Sequence, residues 1–403
     1  MDVAELFKGV AVIIDDEVGS SNPALENILA QIREQNIPLL TYKAIPTEQT
    51  TQHFQNLSFL LLDWRLIKQE ISSGDLEAGN TIPATLQSVE ATEHIEFIKT
   101  LKEVCFCPVF IFTNEDKDDV ISKLEEGNLY TRDKPSHIFI KSKADLQNDT
   151  NLFDVIRSWL NENPSVYVLK EWEREYQKCK NKLFTDFQDL SPVWPQIIWK
   201  NFHEDGGNKS LELGELISRN LHTRMTPFEF DDELLDQDGG VVDRNELRSV
   251  LEGERFLKGL HPDAISTGDV FKESYQEGNT EKYRYWLNIR AQCDLVRTVN
   301  PMLYCIPGDI LTQKANGKID NISFNNGEYL EKNHHAIVPF IDDGKIIEFK
   351  FTGFVMRDVN SLRTDKITRI GRLLPPYITK IQQRYALYLQ RQGLPRIPDA
   401  AIF

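Results

Sequence analysis

Val10-Ala11-Val12-Ile13-Ile14-Asp15-Asp16 and Phe59-Leu60-Leu61-Leu62-Asp63 are two continuous apolar runs, each ending in acid. A strand covered on one face alternates apolar and polar residues; a strand covered on both faces does not. Two further runs of the same kind follow, Pro108–Phe112 ending at Thr113 and His137–Ile140 ending at Lys141. Leu39–Ala44 is also strand-like. Between these runs the spacing is helical. Asn22–Gln35 places Leu25, Ile28, Leu29 and Ile32 on one face, and His94–Val104, Asp118–Glu126 and Leu152–Leu160 read the same way. Strands alternating with helices predict an α/β unit over residues 1–162, a doubly wound parallel sheet with helices on both faces.

The chain then changes character. Residues 163–262 are rich in helix formers and aromatics, among them Trp172, Tyr176, Phe184, Phe187, Trp194, Trp199 and Phe202, and are punctuated by Pro164, Pro192 and Pro195. They read as a helical linker or middle module, with a helix expected over Arg244–Leu257. Residues 263–403 read as a β-rich, barrel-like domain. Tyr283–Val296, Met302–Ile306, Ala336–Phe340, Lys345–Phe351 and Phe354–Val359 are strand candidates separated by Gly, Asn and Asp turns. Ile378–Gln392 closes the chain as an amphipathic helix, stopped by Gly393 and Pro395.

Bulk properties restrict the function classes. A length of 403 residues suits two or three domains. The net charge of -16 argues against broad, unspecific nucleic-acid binding, which needs a basic footprint. Arg363–Arg396 is the one candidate for a local basic patch, and a solvated helix face is its simpler reading. No apolar run is long enough to span a bilayer, and the acidic start Met1-Asp2-Val3-Ala4-Glu5 lacks a signal-peptide pattern. The five cysteines, Cys105, Cys107, Cys179, Cys293 and Cys305, form no zinc-ligand spacing. A cytoplasmic protein is the expectation.

In an open parallel sheet, ligands sit beyond the carboxyl ends of the strands. The residues expected there are Asp15, Asp16, Asp63, Thr113 and Lys141. Adjacent carboxylates can hold Mg²⁺, which prefers oxygen ligands. A third carboxylate can attack a phosphoryl group as nucleophile. A lysine offers the phosphate a compact positive charge, and a threonine hydroxyl can donate to it. Acids at strand ends can also do no more than cap a helix or face a loop.

The ordered set resembles the receiver (response-regulator) family, over about 160 residues. By position, Asp15 and Asp16 match the family's acidic pair, Asp63 its phosphoacceptor and Thr113 its switch hydroxyl. Lys141 matches the fifth-strand lysine and Phe139 the aromatic two residues before it. Lys134, in a Lys-Pro pair, is a second candidate for the lysine; Lys141 is favoured because it ends an apolar run. The resemblance implies a flavodoxin-like fold, with Mg²⁺ held by Asp15, Asp16, Asp63 and the Arg65 carbonyl. It departs from the family in the long stretch between Asp63 and Thr113, whose segment Ser72–Thr92 reads as an exposed loop. It departs again at Asn114, where the family carries a very small residue.

The altered site is similar to divergent receivers of bacterial conflict and anti-phage defence systems. That likeness implies a two-component signalling protein with a histidine-kinase-like or Hsp90-like ATPase as partner, and a homodimer as a possible assembly. The C-terminal Cys293-Asp294-Leu295 motif resembles uncharacterised β-barrel domains of such systems. Two other classes stay open: an inert receiver-fold scaffold, and a nuclease or hydrolase in the C-terminal domain. The latter would use Cys293 with His334 or His335, although a core position suits Cys293 better and a turn position suits the histidines. Asp236-Gln237-Asp238-Gly239-Gly240 imitates a calcium loop but lacks its turn glycine and twelfth-position Glu.

Overall fold

The computed structural model describes residues 3–20, 22–66, 84–143, 151–204, 208–225, 229–236, 242–262, 264–296, 301–311, 324, 334–362 and 366–391. The chain divides into two compact units, Met1–Leu190 with Arg219–Gln237, and Ser191–Ser218 with Asp238–Phe403.

The first unit holds five parallel strands: β1 (Val10–Ile14), β2 (Leu39–Tyr42), β3 (Leu57–Asp63), β4 (Val109–Thr113) and β5 (Ile138–Ser142), in the order β2-β1-β3-β4-β5. Its helices are α1 (Val3–Leu6), α2 (Pro23–Glu34), α3 (Glu48–Thr51), α4 (Ala84–Val104), α5 (Lys117–Glu126), α6 (Leu152–Asn161) and α7 (Pro164–Leu190). This is the flavodoxin-like doubly wound arrangement.

The apolar runs explain it. Successive residues of a strand face opposite sides. Ile13, Leu61, Phe110 and Phe112 pack with Leu25, Ile28 and Ile32 of α2 and Ile156 and Trp159 of α6. Val12, Ile14, Leu60, Leu62, Ile111 and Ile140 pack with Ile98 and Leu101 of α4 and Val120 and Leu124 of α5. Both faces are covered, so β1, the Phe59–Leu62 run of β3 and the Val109–Phe112 run of β4 are apolar throughout. Local signals set the helix starts. Asn22 accepts from Ala24 and Leu25 N–H at 2.9 and 3.3 Å, with Pro23 opening α2. Asp116 and Asn151 cap α5 and α6 in the same way.

Two expectations change here. The segment Ser72–Thr92 is not a loop throughout: α4 begins at Ala84, and 72–83 lie outside the described residues. Phe139, matched to the aromatic two residues before the expected lysine, is partly buried and packs on Phe110 and Trp159, with centroids 6.1 and 5.8 Å away, against the core under α6.

Residues 163–262 are divided between the units. They supply α7, α8 (Trp194–Glu204), α9 (Lys209–Met225), α10 (Asp232–Leu235), α11 (Arg244–Arg255) and the short β6 (Phe256–Leu257). The second unit is a nearly closed antiparallel, barrel-like sheet. Its further strands are β7 (Asp269–Glu277), β8 (Thr280–Asn288), β9 (Met302–Ile310), β10 (His335–Ile341), β11 (Lys345–Lys350), β12 (Val355–Asp358) and β13 (Ile367–Leu373). The order is β10-β11-β9-β8-β7-β13-β6, with β12 paired to β9. A helix α12 (Gln292–Val296) and the closing helix α13 (Tyr377–Gln390) complete it.

The expected strand Tyr283–Val296 is in fact a strand that stops at Asn288, a bend, and α12. The turn is fixed by Asn288, whose side chain donates to Ser266 O at 3.0 Å and accepts from Arg290 and Tyr304 N–H, both at 3.2 Å. Gly268, with φ +88°, lets β7 begin where a Cβ would strike the Leu373 carbonyl. The calcium-loop look-alike at 236–240 falls almost wholly outside the described residues.

Candidate phosphoryl and metal site

Because β1 and β3 are neighbours, their carboxyl ends bring Asp15, Asp16 and Asp63 together. One carboxylate oxygen from each lies within 4.8 Å of the others. This is the point where the strand order reverses, the usual ligand crevice of such sheets. Asp15 is 0% and Asp63 5% exposed. Short turns orient both: Asp15 Oδ1 accepts from Glu17 N–H at 2.9 Å, and Asp63 Oδ1 from Arg65 N–H at 3.2 Å.

The lysine of the site is Lys143, not Lys141. Its Nζ donates to Asp15 Oδ2 at 2.9 Å and Asp63 Oδ2 at 2.7 Å, and lies 3.6 Å from Glu17 Oε2. The register explains the shift of two residues. β5 continues through Lys141 and Ser142, which pair with Phe112 and Thr113 of β4, so Lys143 is the first residue past the sheet edge. Lys141 is still inside the strand, and Lys134 is exposed in the turn that precedes it.

Thr113 is fully buried at the end of β4, and its Oγ1 accepts from Glu115 N–H at 3.0 Å. That leaves its hydroxyl hydrogen to donate elsewhere. Asn114 beside it is exposed. The sequence reading missed His94. It sits on α4, 1% exposed, its Nε2 3.1 Å from the Asp63 carbonyl oxygen and its ring 5.0 Å from that of Trp64. The carbonyl can only accept, so Nε2 carries the hydrogen. Within the helical pattern of α4, a lone histidine on the buried face was the available signal.

Burial pushes the Asp63 carboxyl up to about 6, against the pull of Lys143; Asp15 adds to the rise. Burial alone would lower the Lys143 ammonium, but Asp63 and Asp15 outweigh it and hold it above its ordinary value. Near neutral pH the site is therefore an ion pair. Asp15, Asp16 and Asp63 offer oxygen atoms only, the donor set that suits a hard divalent cation. The acidic cluster can thus hold a metal ion.

No family model matches the chain, and no curated protein matches it. Among solved structures, a fusion carrying the yeast Spc42 trimeric coiled coil (amino acids 181–211) aligns with 43% of this chain and 95% of its own. The identity is 13% and the TM-score 0.23, too low for any argument.

The C-terminal candidates are held otherwise. Cys293 is exposed on α12 rather than buried in a strand, with its Sγ 3.7 Å from Asp294 Oδ1. His334 meets Arg391 and the Tyr388 ring, and His335 lies 3.4 Å from Glu348 Oε1. In the basic stretch, Arg369 and Arg372 are ion-paired to the fully buried Asp269 at 3.1 and 2.6 Å, which offsets one of their two charges. Among the described residues, no helix is long and apolar enough to cross a membrane.

Proposed function

We propose that the first unit is a receiver-type phosphoacceptor switch with Asp63 as the nucleophile. The observation that carries this reading is the Lys143 ammonium joined to both Asp15 and Asp63 at the carboxyl edge of a 2-1-3-4-5 sheet. A carboxyl near 6 is largely ionised at neutral pH, so Asp63 is a competent nucleophile there. One oxygen of its carboxylate attacks the phosphorus of a phosphodonor as the donor's bond to phosphorus breaks. Lys143 then pairs with the incoming phosphoryl oxygens, and the Thr113 hydroxyl donates to one of them. Mg²⁺, held by Asp15, Asp16 and Asp63, would supply charge neutralisation on those oxygens.

Phosphorylation changes the partners of Lys143, so the link between β1, β3 and β5 is the element that switches. The second, barrel-like unit is the output in this reading. A histidine-kinase-like or Hsp90-like ATPase is the proposed phosphodonor or partner, and bacterial anti-phage defence the proposed setting. A docking module without phosphorylation is the competing reading. It is favoured by the same ion pair, because Lys143 already offsets one of the two carboxylate charges it touches.

The test is incubation of the full chain with Mg²⁺ and acetyl phosphate, followed by intact-mass analysis. The proposal predicts the added mass of one phosphoryl group in the wild type and none in Asp63→Ala. A wild type that stays unmodified here and with phosphoramidate supports the docking reading.

A further inference from the structure

α4 turns one stripe of side chains to the sheet. Ala91, His94, Ile98 and Leu101 recur at helical spacing, and all four are buried. Ala91, Ile98 and Leu101 belong to the apolar core that also holds Trp64. His94 is a polar ring in the same stripe, 1% exposed. Burying an imidazole costs free energy unless its nitrogens are bonded. Its bond is to the peptide of Asp63, with Nε2 3.1 Å from the carbonyl oxygen. The Trp64 ring, 3% exposed, packs on the imidazole with centroids 5.0 Å apart and holds its plane.

The bond falls where the chain leaves the sheet, because Asp63 is the last residue of β3. Turning the Asp63–Trp64 peptide swings the carbonyl away from His94. The same turn carries the Arg65 N–H away from Asp63 Oδ1, which it reaches at 3.2 Å. The other carboxylate oxygen, Oδ2, accepts from Lys143 Nζ at 2.7 Å. A backbone amide thus holds the carboxylate on one side and an ammonium holds it on the other. The place of that amide depends on the peptide that His94 grips.

We propose that His94 is the positioning residue of Asp63: its Nε2–H fixes the Asp63–Trp64 peptide and, through the Arg65 N–H, sets the direction of the carboxylate. The inference rests on the reading of Asp63 as phosphoacceptor. His94 bonds to the backbone of Asp63 and acts through that residue. Attack on phosphorus needs the carboxylate oxygen in line with the bond that breaks, and a small misplacement costs much of the rate. The bond also selects the ring's tautomer, since only a protonated Nε2 serves a carbonyl. Leucine in place of His94 keeps the burial and loses the donor. Glutamine keeps an N–H donor at a similar reach.

The experiment compares the full-length wild type with His94→Leu and His94→Gln. Hydrogen exchange of the Arg65 amide, resolved with isotope-labelled arginine, reads the geometry with no phosphodonor or metal present. It is expected to be about tenfold faster in His94→Leu and to return toward the wild-type rate in His94→Gln. With Mg²⁺ and acetyl phosphate, the maximal phosphorylation rate is expected to fall roughly 10- to 100-fold in His94→Leu. The half-saturating acetyl phosphate concentration stays as in the wild type, and His94→Gln recovers the rate. A purely structural role would instead loosen amides throughout the unit and leave the rate of the folded protein unchanged. Wild-type Arg65 exchange and a wild-type rate in folded His94→Leu would overturn the proposal. So would a loss that an equally stable His94→Gln does not repair. A wild type that takes no phosphoryl group, while Arg65 exchange still depends on His94, would sink the phosphoacceptor reading alone. Where His94→Leu does not fold, the nitrogen spectrum of the wild-type His94 ring decides: a protonated Nε2 is expected, and a bare Nε2 would overturn the proposal.

Discussion

The Lys143 ammonium lies 2.7 Å from Asp63 and 2.9 Å from Asp15, so one cation ties together the carboxyl ends of β1, β3 and β5. All three side chains are nearly buried. Taking away one partner of such a group leaves uncompensated charge in the interior. Lys143→Met is expected to destabilise the first unit by about 3–5 kcal/mol. Mg²⁺ should restore part of the loss by replacing the missing positive charge. Lys141→Gln, inside the strand, is expected to change stability by less than about 1 kcal/mol. Urea unfolding with and without Mg²⁺ measures all three; a Lys143→Met protein as stable as the wild type contradicts the account.

The pH dependence of stability follows from Asp63. Its carboxyl is raised from 3.8 to about 6, chiefly by burial, so the folded state binds that proton more tightly than the unfolded state. The stabilisation from protonation is complete below the unfolded value and disappears as pH rises through about 6. Asp63→Asn removes the buried charge while Asp15 still pairs with Lys143. It is expected to be more stable than the wild type by about 1–3 kcal/mol at pH 8, with the margin shrinking toward pH 4. Melting curves across this range check it; a margin that grows on acidification has the wrong sign.

Metal binding should carry the same signature. Protonating Asp63 removes one of the acidic ligands, so Mg²⁺ affinity is expected to weaken as pH falls through about 6. Calorimetric titration at pH 8 and pH 5 measures this directly. Equal affinity at both would remove Asp63 from the ligand set.

In the second unit, Asp269 is fully buried and accepts from Arg369, Arg372 and, at 2.9 Å, Ser266 N–H. Asp269→Ala leaves two arginines without their counter-ion at the start of β7. The expected cost is about 3–5 kcal/mol, read by chemical denaturation. A cost under about 1 kcal/mol would mean that the arginines' remaining contacts to the His261 and Ala264 carbonyls suffice.

The first unit was legible because its strands are buried on both faces. Val10–Ile14, Phe59–Leu62 and Val109–Phe112 carry no polar interruption, and the residues that follow them, Asp15, Asp63 and Thr113, lie at the sheet edge. The fifth strand misled for the same reason. Its apolar run stops at Ile140, but its backbone pairing continues to Ser142, so the ammonium that reaches Asp63 comes from Lys143. Register lies in the pairing with β4, which a single strand's composition does not carry. Phe139 was matched through Lys141; with Lys143 at the acids it lies four residues before the site lysine and packs, partly buried, against the core. In the second unit one sheet face is half-open. Ile367–Leu373 therefore alternates apolar residues with Arg369 and Arg372 and hides a strand within a basic-looking stretch.

In the proposed function Asp63, Mg²⁺ and Lys143 form a working phosphoryl site. Its most direct test is the melting temperature of the wild type and Asp63→Ala with Mg²⁺ and beryllofluoride, a phosphoryl mimic. Trp64 fluorescence, 3% exposed beside the site, is followed in parallel against a Trp64→Phe control. Ligand that binds only the folded state raises its melting temperature. The account predicts a rise in the wild type that requires both Mg²⁺ and beryllofluoride and is absent in Asp63→Ala. An unchanged wild type, or an equal rise in Asp63→Ala, would contradict it.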